Sequence, residues 1–155
     1  MPGWYRWSRE RLAKFRNLPP RARRYLVQAI LYLIVARLAL RTIPYRRLTW
    51  FFERRPRQPE VTGAERERMR KGMRWLMDEA AWFLPGQTTC FPRAIVAQAM
   101  LRRHGYGTTL CYGAAMLPGV ELKTHVWVQD GMDGVVGHEV ASDYYIVARY
   151  PEVKN

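Results

Sequence analysis

The spacing of apolar side chains changes period once along the chain, from helical in the first two thirds to alternating in the last third. Residues 8–18 carry an amphipathic helical pattern, with Ser8 placed as its N-cap and Pro19 and Pro20 ending it. Trp4 and Trp7 ahead of it are expected to pack on the next helix, with a membrane interface or a partner as alternatives. Residues 21–42 predict a second helix that stops before Pro44. From Tyr25 to Leu40 it is apolar nearly all round, broken by Gln28 and Arg37, which predicts a helix buried in the core. The run falls short of the roughly 20 residues that cross a bilayer, so membrane association is the alternative reading. Residues 45–54 continue for a helical turn or two, and 55–63 hold Pro56, Pro59 and Gly63 and read as a linker. Residues 64–84 predict a third long helix, with Met69, Met73, Leu76, Met77, Ala80 and Phe83 on one face and charge on the other. Pro85 and Gly86 end it.

A further helix runs from Cys90 to Gly105: Pro92 suits its first turn, lacking an N–H and already holding a helical φ, and Gly105 suits its end. Strands follow. Residues 106–115 form the first, and 117–119 turn the chain. Residues 122–129 and 135–139 flank a glycine-rich hairpin loop at 130–134, and 144–150 form the last strand. The class predicted is α+β, with an N-terminal helical region over 1–62 and a core over 63–155 that together form one compact unit.

Composition sharpens this picture in two ways. The chain has 155 residues, 48 % of them hydrophobic, enough for a packed core without disulfides. Its two cysteines form no secreted scaffold, and residues 1–20 contain no apolar export signal, so the expected compartment is the cytoplasm. Lys and Arg number 26 against 13 acids, a formal +13 concentrated in residues 6–24 and 41–57, which calls for an anionic partner. Nucleic acid is not expected, because no recognisable nucleic-acid module accompanies the charge.

The candidate chemistry centres on Cys90. At a helix start it lies among unpaired backbone N–H groups at the positive end of the helix dipole, where a thiolate is favoured. A buried structural thiol would have no need of that position. A thiolate nucleophile requires a base, and His125 is the candidate: the alternation of 123–129 puts His125, Trp127 and Gln129 on one strand face and Thr124, Val126 and Val128 on the other. His104 lies at the far end of the nucleophile's own helix, roughly 20 Å away, and is excluded. His138 remains a rival. A hairpin centred on Met132 sets Glu139 opposite His125, making Glu139 the candidate third member; a bulge or slip would favour His138, Asp130, Asp133 or Asp143 instead. Cys111 reads as a core residue of its strand. No Cys or His pair has metal-ligand spacing, so neither a metal nor another cofactor is expected.

Taken jointly, Thr89-Cys90-Phe91-Pro92-Arg93-Ala94, Leu101-Arg102-Arg103-His104-Gly105, Tyr112-Gly113 and Thr124-His125-Val126-Trp127-Val128 resemble the transglutaminase-like leader peptidases of lasso-peptide biosynthesis, the B proteins. The resemblance runs from about Leu26 to the end of the chain. It implies a papain-like or transglutaminase-like cysteine protease core, with the nucleophile at a helix N-terminus packed on a small antiparallel sheet. The implied activity is removal of the leader from a ribosomally made precursor peptide, with Cys90 as nucleophile and His125 as general base. The family's third member is an aspartate on the returning strand; this chain has Gly137, His138 and Glu139 there, so Glu139 substitutes or a loop aspartate reaches in. The implied partners are the precursor's leader, a separate leader-recognition protein docking on the basic N-terminal surface, and an ATP-dependent, asparagine-synthetase-like cyclase. The backbone N–H of Cys90 would help hold the oxyanion, with Gln87 or Thr89 as further donors. Two other classes are compatible with the residues: amide transfer to an amine rather than to water, and a non-enzymatic basic adaptor that holds a membrane or the cyclase.

Overall fold

The computed structural model describes residues 4–43, 61–86, 88–116 and 122–151. The expected helical turns at 45–54, most of the linker and the turn at 117–119 lie outside the described residues, as do Gln87 and the side chains of Trp4, Trp7 and Ser8. Four helices precede the sheet: α1 (Trp4–Arg16), α2 (Pro20–Thr42), α3 (Gly63–Phe83) and α4 (Cys90–Arg103). The strands are β1 (Thr109–Ala115), β2 (Lys123–Asp130), β3 (Asp133–Val136) and β4 (Tyr145–Tyr150), with a 3-10 turn, His138–Asp143, between the last two. All neighbours in the sheet are antiparallel, in the order β3-β2-β1-β4. The α+β class holds.

Local chemistry accounts for the helix starts. Thr62 and Glu65 form a capping box: the Thr62 hydroxyl accepts from the Glu65 N–H at 3.2 Å, and the Glu65 carboxylate accepts from the Thr62 N–H at 2.8 Å. That backbone bond pulls the Glu65 pKa below the usual carboxylate value. Helix α1 begins at Trp4 rather than at Ser8, and no side-chain cap supports the start of α2, where proline pre-sets the backbone instead.

One cluster of buried side chains runs from Leu26 and Leu33 in α2 through Met77 and Ala80 in α3 and Ala97 and Leu101 in α4 to Val126, Val128 and Val136 in the sheet. Helix α4 lies against the sheet face formed by Leu110, Tyr112, Val126 and Val128, and buried Gln98 donates to the carbonyls of Thr108 and Tyr150 at 3.1 and 2.9 Å, tying the helix to the residue before β1 and to the end of β4. The charged face of α3 is not a solvated surface throughout. Arg66 and Arg70 reach Asp130 at 3.0 and 3.5 Å, Arg70 reaches Asp133 at 2.7 Å, and Arg74 donates to the carbonyls of Val135 and Gly134. These four-residue steps along α3 stitch it to the β2–β3 hairpin.

Two expectations are corrected. Helix α2 is not buried all round: Leu26, Ala29, Leu33 and Ala36 face the core, while Leu31, Val35 and Leu38 are 55, 63 and 58 % exposed. By length and composition it is also long and apolar enough to cross a membrane. The strand after the hairpin is shorter than expected. Gly131 and Met132 alone make the turn, β3 ends at Val136, and Gly137, at φ 73°, takes the chain out of the sheet into the 3-10 turn.

Candidate active site

Cys90 occupies the first position of α4, after Thr89 in extended conformation. Its N–H is therefore one of the unpaired donors at the helix mouth. Two arginines hold that mouth in place. Arg37, the lone cation inside the apolar run of α2, donates to the Pro85 carbonyl at 3.0 Å and to the Thr88 hydroxyl, fixing the turn that delivers Cys90. Arg93 in the first turn of α4 pairs with Asp78 of α3. The role of Arg37 was not read from the sequence; the signal was present, since a cation amid apolar neighbours must find a partner or reach water.

The thiol opens into a cleft of about 860 Å³ walled by Leu40 of α2 and Ile43 just beyond it, Phe91 of α4, Tyr112 of β1, Thr124 and Val126 of β2, and Val147 and Ala148 of β4. The lining is mostly apolar, as small-molecule and side-chain sites are. Strand β2 thus passes directly beside Cys90, and both chain neighbours of His125 face the cleft. His125 itself points to the opposite face. It stands across from Gly113 on β1, packed on Trp127 with ring centroids 5.8 Å apart and on Tyr144 at 5.2 Å. Gly113 is required there, because a Cβ would lie 2.6 Å from the Trp127 ring and 2.8 Å from the Tyr144 Cβ. No hydrogen bond joins Cys90 to His125.

The group that orients His125 is not a carboxylate. Its Nε2 lies 2.6 Å from the carbonyl oxygen of Gly137. A carbonyl only accepts, so Nε2 carries the proton, and Nδ1 is the free basic nitrogen of the neutral ring. Glu139 does not stand opposite His125: the chain leaves the sheet at Gly137, and Glu139 instead lies 3.5 Å from Arg74, with a mostly exposed side chain. Asp130 and Asp133 belong to the Arg66 and Arg70 network at the other end of the hairpin. Asp143 is exposed and accepts from its neighbour Ser142 at 3.4 Å. His138 packs beneath Gly134, where a Cβ would come within 2.2 Å of its ring, and His104 caps α4 against Tyr25. Cys111 is fully buried on the face of Trp127, donating to the Gln129 side chain at 3.3 Å. Burial pushes its pKa up against a smaller opposing pull from Arg149. Among the described residues, no group of three or more His, Cys, Asp or Glu could hold a metal ion.

The Transglutaminase-like superfamily profile matches residues 30–149, which contain both the helix-mouth Cys90 and His125 of β2. The chain belongs to the transglutaminase-like superfamily. No curated protein and no solved structure matches it. The transglutaminase-like domain begins within α2 and takes in α3, α4 and the whole sheet up to Arg149, so Arg37 and the cleft walls from α2 lie inside it. Superfamily membership places the protein with cysteine-peptidase-like and acyl-transferase-like domains.

Proposed function

We propose that this transglutaminase-like protein is a cysteine peptidase that removes the leader from a ribosomally made lasso-peptide precursor, with Cys90 as nucleophile and His125 as base. The observation that carries this reading is that Cys90 opens a helix at an apolar cleft whose wall is the strand bearing His125. The Cys90 thiolate attacks the carbonyl at the leader–core junction, and the helix-mouth N–H of Cys90 holds the oxyanion that forms. The carbon–nitrogen bond breaks as His125 gives its proton to the departing amine. The proton given to the amine is the one His125 took from the Cys90 thiol. The neutral imidazole then deprotonates water, which cleaves the thioester, and returns that proton to the departing thiolate, leaving the leader acid and the free thiol.

This chemistry requires the imidazole on the cleft side of β2, where Thr124 now stands. A bulge that absorbs one residue at the start of β2 re-aims His125 without moving Val126 or Trp127. Lys123 and Thr124 are exposed and oppose it little, while the move gives up the His125 contacts with Trp127, Tyr144 and the Gly137 carbonyl. The proposed setting is the cytoplasm, with a separate leader-recognition protein docked on the basic N-terminal surface and an ATP-dependent cyclase closing the ring.

A second reading, a basic adaptor without catalytic activity, draws on one observation: the imidazole is bonded to Gly137 on the far face. Mass analysis of precursor and recognition protein incubated with the wild-type chain separates the two. Leader removal is expected from the wild type, none from Cys90→Ala, and a loss of about 10²-fold or more from His125→Ala. Undiminished removal by Cys90→Ala ends the proposal, undiminished removal by His125→Ala ends the role given to that residue, and a product carrying an added amine reassigns the reaction to amide transfer.

A further inference from the structure

Strand β4 is the outer strand of the sheet, and among the described residues no strand pairs with its free edge. Edge strands are normally blunted by charge, proline or a covering element, because their unpaired N–H and C=O groups attract further strands. Among the described residues β4 carries neither charge nor proline between Tyr145 and Ala148: Tyr145 is 84 % and Val147 64 % exposed, and the first charge is Arg149. Its pairing with β1 is irregular here, passing from Ala148 opposite Tyr112 to Ile146 opposite Gly113 with Val147 between them. The same stretch walls the active-site cleft, which Val147 and Ala148 line together with Cys90. A polypeptide laid along this edge would send alternate side chains over the Cys90 face of the sheet.

Resting on the acyl-transfer reading of Cys90, we infer that the free edge of β4 receives the substrate polypeptide as an added strand. One apolar or aromatic side chain of that strand reaches over β4 into the cleft shared with Cys90 and anchors the polypeptide, whose continuation beyond the edge crosses to the thiol. Strand addition supplies affinity through backbone bonds, and the cleft supplies selectivity through one side chain. Charge decides between this occupant and a second copy of the chain. At +13 two copies repel each other, whereas a peptide with acidic flanks is attracted.

The test uses the full chain as Cys90→Ala, so that binding is read without turnover. The probe is a fluorescein-labelled peptide alternating threonine and valine, with a central phenylalanine and an aspartate at each end. Two isomers are N-methylated on alternate residues, each blocking one edge of the peptide. The parent is expected to bind. One isomer should bind within about threefold of it, and the other should lose about tenfold or more, because only one edge of the peptide faces β4. Replacing the phenylalanine by aspartate, or introducing Val147→Lys in the protein, should cost a similar factor. Equal binding by both isomers, or no binding by the parent, overturns the inference. So does sedimentation showing a dimer that Val147→Lys dissociates, since the edge would then serve a second copy. If the isomers separate while the wild type removes no leader, strand addition stands and the peptidase proposal falls. Leader removal with isomers that bind alike rejects the edge and spares the peptidase.

Discussion

Cys90 and Cys111 are chemically identical and structurally opposite. Cys90 is partly exposed at a helix mouth, while Cys111 is sealed beneath Trp127 and bonded to Gln129. A thiol reacts as its thiolate and only where reagent can reach it. Native protein should therefore take up one equivalent of iodoacetamide, at Cys90, and a second only after unfolding; peptide mapping that finds Cys111 labelled first would contradict this. Cys111 also gives stability a pH dependence. Burial raises its folded pKa above the unfolded thiol value of about 8.5, so the unfolded chain loses this proton first as pH rises. Its contribution is complete below about pH 8.5 and declines above it. Urea midpoints should fall less steeply above that pH in Cys111→Ala than in the wild type.

At the scale of elements, the joint between α3 and the β2–β3 hairpin is ionic where the rest of the core is apolar. Asp130 is buried between Arg66 and Arg70, and the loss of one member leaves its partners short of a counter-charge. Asp130→Ala should cost about 3 kcal/mol by chemical denaturation, toward the low end for a buried pair because Arg66 reaches water. Glu67→Ala, which removes a surface partner of Arg70, should leave the denaturation midpoint nearly unchanged, because an exposed pair is screened by solvent. The charged face of α3 was legible in the sequence as a face. Its engagement with the hairpin was not, because an arginine in a solvated stripe and one docked on another element look alike until the second element is placed.

For the molecule as a whole, the question is which surface of α2 the core consumes. Leu33 has no exposure, whereas Leu31, two residues earlier, is more than half exposed. Leu33→Ala should lower stability by about 3 kcal/mol, and Leu31→Lys should leave it within about 0.5 kcal/mol, both read from denaturation midpoints. The reverse order would mean that the helix packs through its other side. Composition alone suggested burial all round, since an apolar stripe facing the core and one facing outward have the same hydropathy.

The sequence by itself determined the elements and the nucleophile's place. The change of period, the prolines at 19, 20 and 92 and the glycines at 86 and 105 act within a few residues of themselves. They therefore specified the long helices, the strand alternation of 123–129, and a cysteine at a helix mouth. Only the tertiary structure decided which groups those elements bring together. A single glycine at φ 73° turned the chain out of the sheet, so Glu139 went to Arg74, and a backbone carbonyl, which no residue type announces, took the place beside His125. The face of β2 that meets Cys90 was likewise beyond the sequence, because strand alternation separates two sets of side chains without saying which set the helix will cover.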